Sequence, residues 1–146
     1  MTAPALLSGT ALAVFRLNGQ FLDVAEELAR PVGLTAAWWQ VLGAVLTEPL
    51  PVAGIARSMG ITRQSVQRIA DLLVDKGLAE YRPNPAHSRA KLVVPTESGR
   101  AAVARIAPDH RRLAERLARE LGIKEFQHTL DVLHRLSSAL DSLDGD

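Results

Sequence analysis

Cysteine is absent from all 146 residues. That excludes disulfide scaffolds, thiolate–zinc sites, thiol nucleophiles and cysteine-based redox sensing. Aromatic residues are scarce, at 4%, while Ala and Leu are abundant, a balance that favours helices over a β-sandwich. No uninterrupted apolar run approaches the ~18 residues that a membrane span requires. The Ala- and Leu-rich N-terminus has no positive leader, and Arg16 interrupts it, so no signal peptide is expected and the cytoplasm is the expected compartment. Repeats and low-complexity tracts are missing as well. So are a phosphate-binding glycine loop, an H-E-x-x-H pair and a nucleophile elbow. His128 and His134 stand six apart, off the i, i+4 spacing of helical metal ligands, and His110 does not complete a set. The sequence therefore offers no catalytic residues, no metal site and no cofactor.

What is present is an uneven charge distribution. Residues 57–91 carry seven bases (Arg57, Arg63, Arg68, Lys76, Arg82, Arg89, Lys91) against Asp71, Asp75 and Glu80, a net +4. The flanks, residues 1–56 and 92–146, are net −2 and −1. A basic middle between mildly acidic ends fits a nucleic-acid-binding core flanked by other machinery, although a charge cluster alone is often only solvated surface.

Apolar spacing places the elements. Leu7, Thr10, Val14, Leu17, Phe21, Val24 and Leu28 form a heptad seam, with a second apolar stripe beside it, on a long helix ended by Pro31 and Gly33. Thr35 caps a helix carrying Trp38 and Trp39. Pro51 suits the first turn of the next, which runs to Gly60. Thr62 caps a fourth helix, ended by Gly77. "LAEYR" (78–82) and "AKLVV" (90–94) read as two strands joined by a polar loop, a hairpin. Thr96 caps a helix to Leu121, bent at Pro108, and a last amphipathic helix runs from Ile123 to Leu143. The chain length suits one domain. The class is mainly α with a small β-hairpin wing: a winged helix-turn-helix core over 34–95, with dimerisation helices over 5–30 and 97–143.

Within that core, Ala56 supplies the small residue where two steeply crossing helices meet. Gly60 supplies the turn, and Val66 the branched apolar lock, as a helix-turn-helix requires. With Val66 inward, Gln64 and Arg68 point outward, flanked by Ser65 and Gln67; Thr62 and Arg63 open the helix. No acid appears before Asp71, so the N-terminal half of this helix suits entry into a major groove. There Gln pairs with adenine and Arg with guanine. A merely solvated helix explains the polarity but not this order of sign. In the loop "PNPAHS" and just beyond, His87, Ser88, Arg89 and Lys91 form a basic wing tip, and an arginine there suits a narrow minor groove; the plainer reading is an exposed loop with incidental bases.

Three stretches, "LTAAWWQVL" (34–42), "PVAGIARSMGITRQSVQRIADLLVDKGLAEYR" (51–82) and "SRAKLVVPTESGR" (88–100), together resemble the MarR family of winged-helix transcriptional regulators over nearly the whole chain. The resemblance implies an obligate homodimer built from the terminal helices. It also implies a recognition helix and wing from each subunit on palindromic double-stranded DNA, and most commonly a ligand-responsive repressor. Two positions depart from the family pattern. His87 stands where an acid usually orients the wing arginine, which would make wing charge depend on pH. Pro95 replaces a frequent leucine and stiffens the strand exit.

Tandem Trp38 and Trp39 diverge by ~100° on a helix, so both are not expected to share one core contact. Trp39 takes the family's core aromatic position. Trp38, with Arg16, is a candidate for an aromatic-acid effector pocket, against the plainer reading of a Trp packed at a dimer junction. Without cysteine, any effector is a small aromatic molecule or another non-thiol signal. A protein-interaction scaffold on the same fold, without DNA, is the reading from a different class. A small helical enzyme is a third, and it lacks a site.

Overall fold

The computed structural model describes residues 1–143. Helix α1 spans Ala3–Ala29, opened by Thr2, whose hydroxyl accepts from the Ala5 amide at 3.3 Å. A single 3-10 turn, Arg30–Val32, closes it. Helix α2 spans Ala36–Val45 and has a double cap: the Thr35 hydroxyl accepts from Trp38 N at 3.1 Å, and Glu26 Oε2 from Ala36 N at 2.9 Å. Both oxygens satisfy amides left over at a helix start, and the carboxylate also faces the positive end of the helix dipole.

Strand β1 (Leu50–Pro51), helices α3 (Val52–Met59) and α4 (Arg63–Asp75), and strands β2 (Ala79–Arg82) and β3 (Leu92–Pro95) follow. The sheet is antiparallel in the order β1-β3-β2, with Val93 paired to both Leu50 and Tyr81. The expected hairpin is therefore present, with a third, two-residue strand added. Pro51 belongs to that strand and stands just before α3 rather than inside its first turn.

The core gathers Leu42 and Val45 from α2, Ile55 from α3, Val66 and Leu73 from α4 and Val93 from β3. Ile106 joins them from helix α5 (Glu97–Leu121). All are essentially inaccessible to solvent, and each large side chain so buried contributes ~1.5–3 kcal/mol. Trp38 and Trp39 are both half-buried and both pack on this core, so the expectation that only one would do so is corrected. Helix α2 is surrounded by α1, α3, α4 and β3, and neighbours on several sides receive both indoles.

Thr96 ties the sheet to α5. Its hydroxyl accepts from Gly99 N at 3.1 Å and donates to the Gly77 carbonyl at 2.7 Å. Gly99 itself lies against the backbone after α4: a Cβ there would stand 2.1 Å from the Leu78 carbonyl oxygen.

The chain divides into two compact units, Met1–Ala107 and Pro108–Asp146. The division falls within α5 at Pro108, which has no amide hydrogen for the carbonyl four residues earlier. The second unit contains the rest of α5 and helix α6 (Ile123–Leu143). Among the described residues no helix is long and apolar enough to cross a membrane.

Candidate nucleic-acid interface

The turn between α3 and α4 is built as its residues require. Gly60 has φ +68°, and its amide donates to the Ala56 carbonyl at 2.9 Å, with Ile61 N on the same oxygen at 3.2 Å. A side chain at this φ is strained, so glycine serves where the chain reverses. Ala56 is buried at the crossing and Val66 is fully buried beneath α4. Thr62 caps α4: its oxygen accepts from Ser65 N at 3.1 Å, and its hydroxyl donates to Ser65 Oγ at 3.0 Å. Thr62 and Ser65 therefore set the start of the helix, and Ser65 is half-buried.

Arg63, Gln64, Gln67 and Arg68 are exposed on α4. Among the described residues Arg63, Gln64 and Arg68 make no hydrogen bond or ion pair within the chain. Gln67 differs. Its amide nitrogen lies 3.0 Å from Asp71 Oδ1 and 2.9 Å from the Tyr81 hydroxyl, and that hydroxyl donates to the same Asp71 oxygen in a short contact. Burial, and then the neighbouring Asp71 carboxylate, push the Tyr81 phenol well above its ordinary range. It stays protonated and remains a donor.

Between β2 and β3 the loop is folded on itself. Asn84 Oδ1 accepts from Ala86 N at 3.0 Å, His87 N donates to the Asn84 carbonyl at 3.2 Å, and Ala90 N to the His87 carbonyl at 3.3 Å. This is an Asx-type turn, which Asn favours. His87, Ser88 and Arg89 are exposed on it. Lys91, at the wing's base, places its ammonium 6.0 Å from the Tyr81 ring centre, at the outer reach of a cation–π contact.

The wing and α4 enclose one open cleft, lined by Arg63, Gln64, Gln67, Tyr81, Arg89 and Lys91. Two of the proposed elements thus share one concave surface, with Arg68 beside Gln64 on the adjoining face of α4. Three cations and two amides around a cleft form a surface for a polyanion with hydrogen-bonding edges. Sequence reasoning missed Tyr81 and read Asp71 only as an outward acid. Their signal was the i, i+4 spacing of Gln67 and Asp71, which places the two side chains together; the tyrosine comes from another element. Arg16 is exposed on α1 and Trp38 is half-buried on α2. Neither lines this cleft.

Comparisons with known proteins place this surface in context. The sequence profile of the MarR family matches residues 32–90, the stretch holding α2 to the wing. Uncharacterized proteins of Mycobacterium tuberculosis and Mycobacterium bovis are 41% identical over 127 residues, covering 87% of this chain and 89% of theirs. Among solved structures, a cysteine-to-serine mutant of MarR from E. coli, complexed with operator DNA, superposes with a TM-score of 0.77. It is 21% identical and covers 93% of this chain and 99% of its own. CouR from Rhodococcus jostii, bound to p-coumaroyl-CoA, gives 0.73 at 23% identity, covering 87% of this chain and 90% of its own.

Proposed function

Since the chain belongs to the MarR family of transcription regulators, which bind DNA and are not enzymes, we propose that it is a homodimeric, ligand-responsive repressor. It reads a palindromic operator in the cytoplasm. Residues 34–95 form the DNA-reading core, and the helices over 5–30 and 97–143 join the two subunits. Gln64 and Arg68 read base edges from α4, with Arg63 and Gln67 beside them. Arg89 enters the minor groove, and His87, Ser88 and Lys91 line the adjoining backbone. Thr62 and Ser65 present the helix N-terminus to phosphate.

The observation that carries this reading is the shared cleft: on α4 the unpaired side chains of Arg63 and Gln64, with Gln67 beside them, face a basic wing across one concave surface. Unpaired cations are what a polyanion neutralises, and unpaired amides are what base edges engage. The effector is a small aromatic molecule or another non-thiol ligand held by Arg16 and Trp38. CouR, a structural neighbour, is bound to p-coumaroyl-CoA, which makes coenzyme A thioesters and their parent acids the first ligands to try.

Selection of bound sequences from random duplex DNA, repeated with candidate effectors, tests the reading. A palindromic consensus, with affinity falling by a log–log slope near −0.9 per phosphate neutralised, is expected. Binding with no consensus and no salt dependence would return the chain to the scaffold reading.

A further inference from the structure

Gln67 carries an asymmetry that the other outward residues of α4 lack. The carboxylate of Asp71 is acceptor-only when ionised, so the face of the Gln67 amide turned toward it must be the nitrogen. The hydrogen-bond network itself thus fixes an orientation that usually has to be assigned. The Tyr81 hydroxyl, donating to the same Asp71 oxygen, closes a three-membered ring of contacts: Gln67 to Asp71 at 3.0 Å, Gln67 to Tyr81 at 2.9 Å, and Tyr81 to Asp71. Among the described residues Gln67 Oε1 has no partner, and the residue lines the cleft between α4 and the wing.

We propose that Tyr81, a residue of strand β2, is a positioning residue for sequence reading: with Asp71 it clamps the Gln67 amide nitrogen and leaves the carbonyl oxygen as the group offered to DNA. Gln67 then favours a base that presents an amino group in the major groove, adenine N6 or cytosine N4, over guanine O6 or thymine O4, which are acceptors. The clamp also joins the two DNA-facing elements. Strand β2 carries the wing, α4 carries the reading residues, and the ring of contacts spans both. Lys91, close to the Tyr81 ring, adds the wing's cation to the same assembly. A free glutamine samples several rotamers and either amide orientation; one clamped by two partners arrives at the duplex with less entropy to lose.

This inference rests on the DNA-reading role proposed above, and the test separates the two. Wild-type protein, Gln67→Ala and Tyr81→Phe are each measured on a selected operator and on its complete set of single-base variants. Thermal melting confirms that each variant is folded. Gln67→Ala is expected to flatten discrimination at one position per half-site by about tenfold. Tyr81→Phe keeps the ring but removes the hydroxyl, and should lose most of the discrimination at that same position and little elsewhere. The double variant should be no worse there than Gln67→Ala alone, because the tyrosine acts only through the glutamine. Should Tyr81→Phe fail to fold, Asp71→Ala removes the clamp's acceptor and must give the same single-position loss. If wild-type protein discriminates and the clamp variants keep that discrimination, or weaken all positions alike, the clamp assignment is overturned. If wild-type protein enriches no sequence, the DNA-reading role fails, and this inference with it.

Discussion

Tyr81 sits where three kinds of physics meet: a half-buried ring, a hydroxyl in contact with a carboxylate, and a cation near its face. Burial and Asp71 both disfavour the phenolate, so the folded value is raised above the ordinary tyrosine value of about 10. The sign of the linkage follows. Below the unfolded value both states hold the proton and the contribution to stability is complete. As pH rises past it, unfolded chains release the proton first, and stability falls until the folded value is reached. Tyr81 is the only tyrosine in the sequence, so phenolate absorbance reports it alone. Native protein should show almost no phenolate at pH 10–11, and the band should appear together with unfolding. A native titration centred near the ordinary value would contradict the contact with Asp71.

The other residues divide by partner. Gln64 and Arg68 have none within the chain, and replacing either by Ala should cost ~1–3 kcal/mol and relax preference at particular operator positions. Arg89, if in the minor groove, meets a pattern that separates little beyond A·T from G·C. Arg89→Ala should weaken most sequences together and flatten the salt dependence while the consensus stays. Binding across single-base operator variants checks the division; a rewritten consensus from Arg89→Ala would reverse it. Gln64 and Arg68 were legible in the sequence because polarity and helical period place them without knowledge of any other element, and Arg89 because it follows a polar, proline-bearing loop. Tyr81 was not, since its partners lie ten and fourteen positions away on another element. Gly99 was not either: the need for a bare backbone there comes from the Leu78 carbonyl, which only the folded chain brings near.

At the scale of elements, caps and turns carried the reading. Thr35, Gly60, Thr62 and Gly77 delimit helices because their chemistry is local: a hydroxyl within reach of the third amide, or a backbone free to adopt positive φ. Strand β1 escaped because two residues, one of them proline, carry no alternation; the strand exists through its pairing with Leu92 and Val93. Pro95 is tolerated in the central strand because β1 pairs only with Leu92 and Val93, leaving no β1 residue opposite it. The cap of α4 gives a prediction at this scale. Thr62→Ala removes the acceptor for Ser65 N and the link to Ser65 Oγ, which should lower stability by about 1 kcal/mol. Thr62→Asp, which keeps an acceptor, should recover it. Denaturant midpoints at unchanged slope measure both; equal loss in the two variants would remove capping as the explanation.

At the scale of the molecule, most of what is unexplained is apolar. In α1, Leu7, Leu12, Phe15 and Phe21 are all at least 60% exposed. In α6, Ile123, Leu130, Leu140 and Leu143 are exposed as well. These are the residues whose seam and stripe were visible from spacing alone; what spacing could not supply is the surface that covers them. A single chain that left both helices wet would forgo ~1.5–3 kcal/mol for every Leu or Phe it failed to bury, and exposed apolar side chains that recur along a helix face suit an association surface. A second copy offers the same faces, and a twofold contact makes each face complementary to itself. The expected state is therefore an obligate homodimer. Sedimentation at micromolar concentration should show twice the 15.8 kDa chain mass, and paired Leu→Glu changes at Leu12 and Leu22 should dissociate or unfold it. By contrast, Gln64→Ala, Arg68→Ala and Arg89→Ala should leave the dimer intact, since those side chains lie outside the terminal helices. A monomeric wild-type protein that still binds one operator half-site tightly would remove the dimer while leaving the reading helix in place.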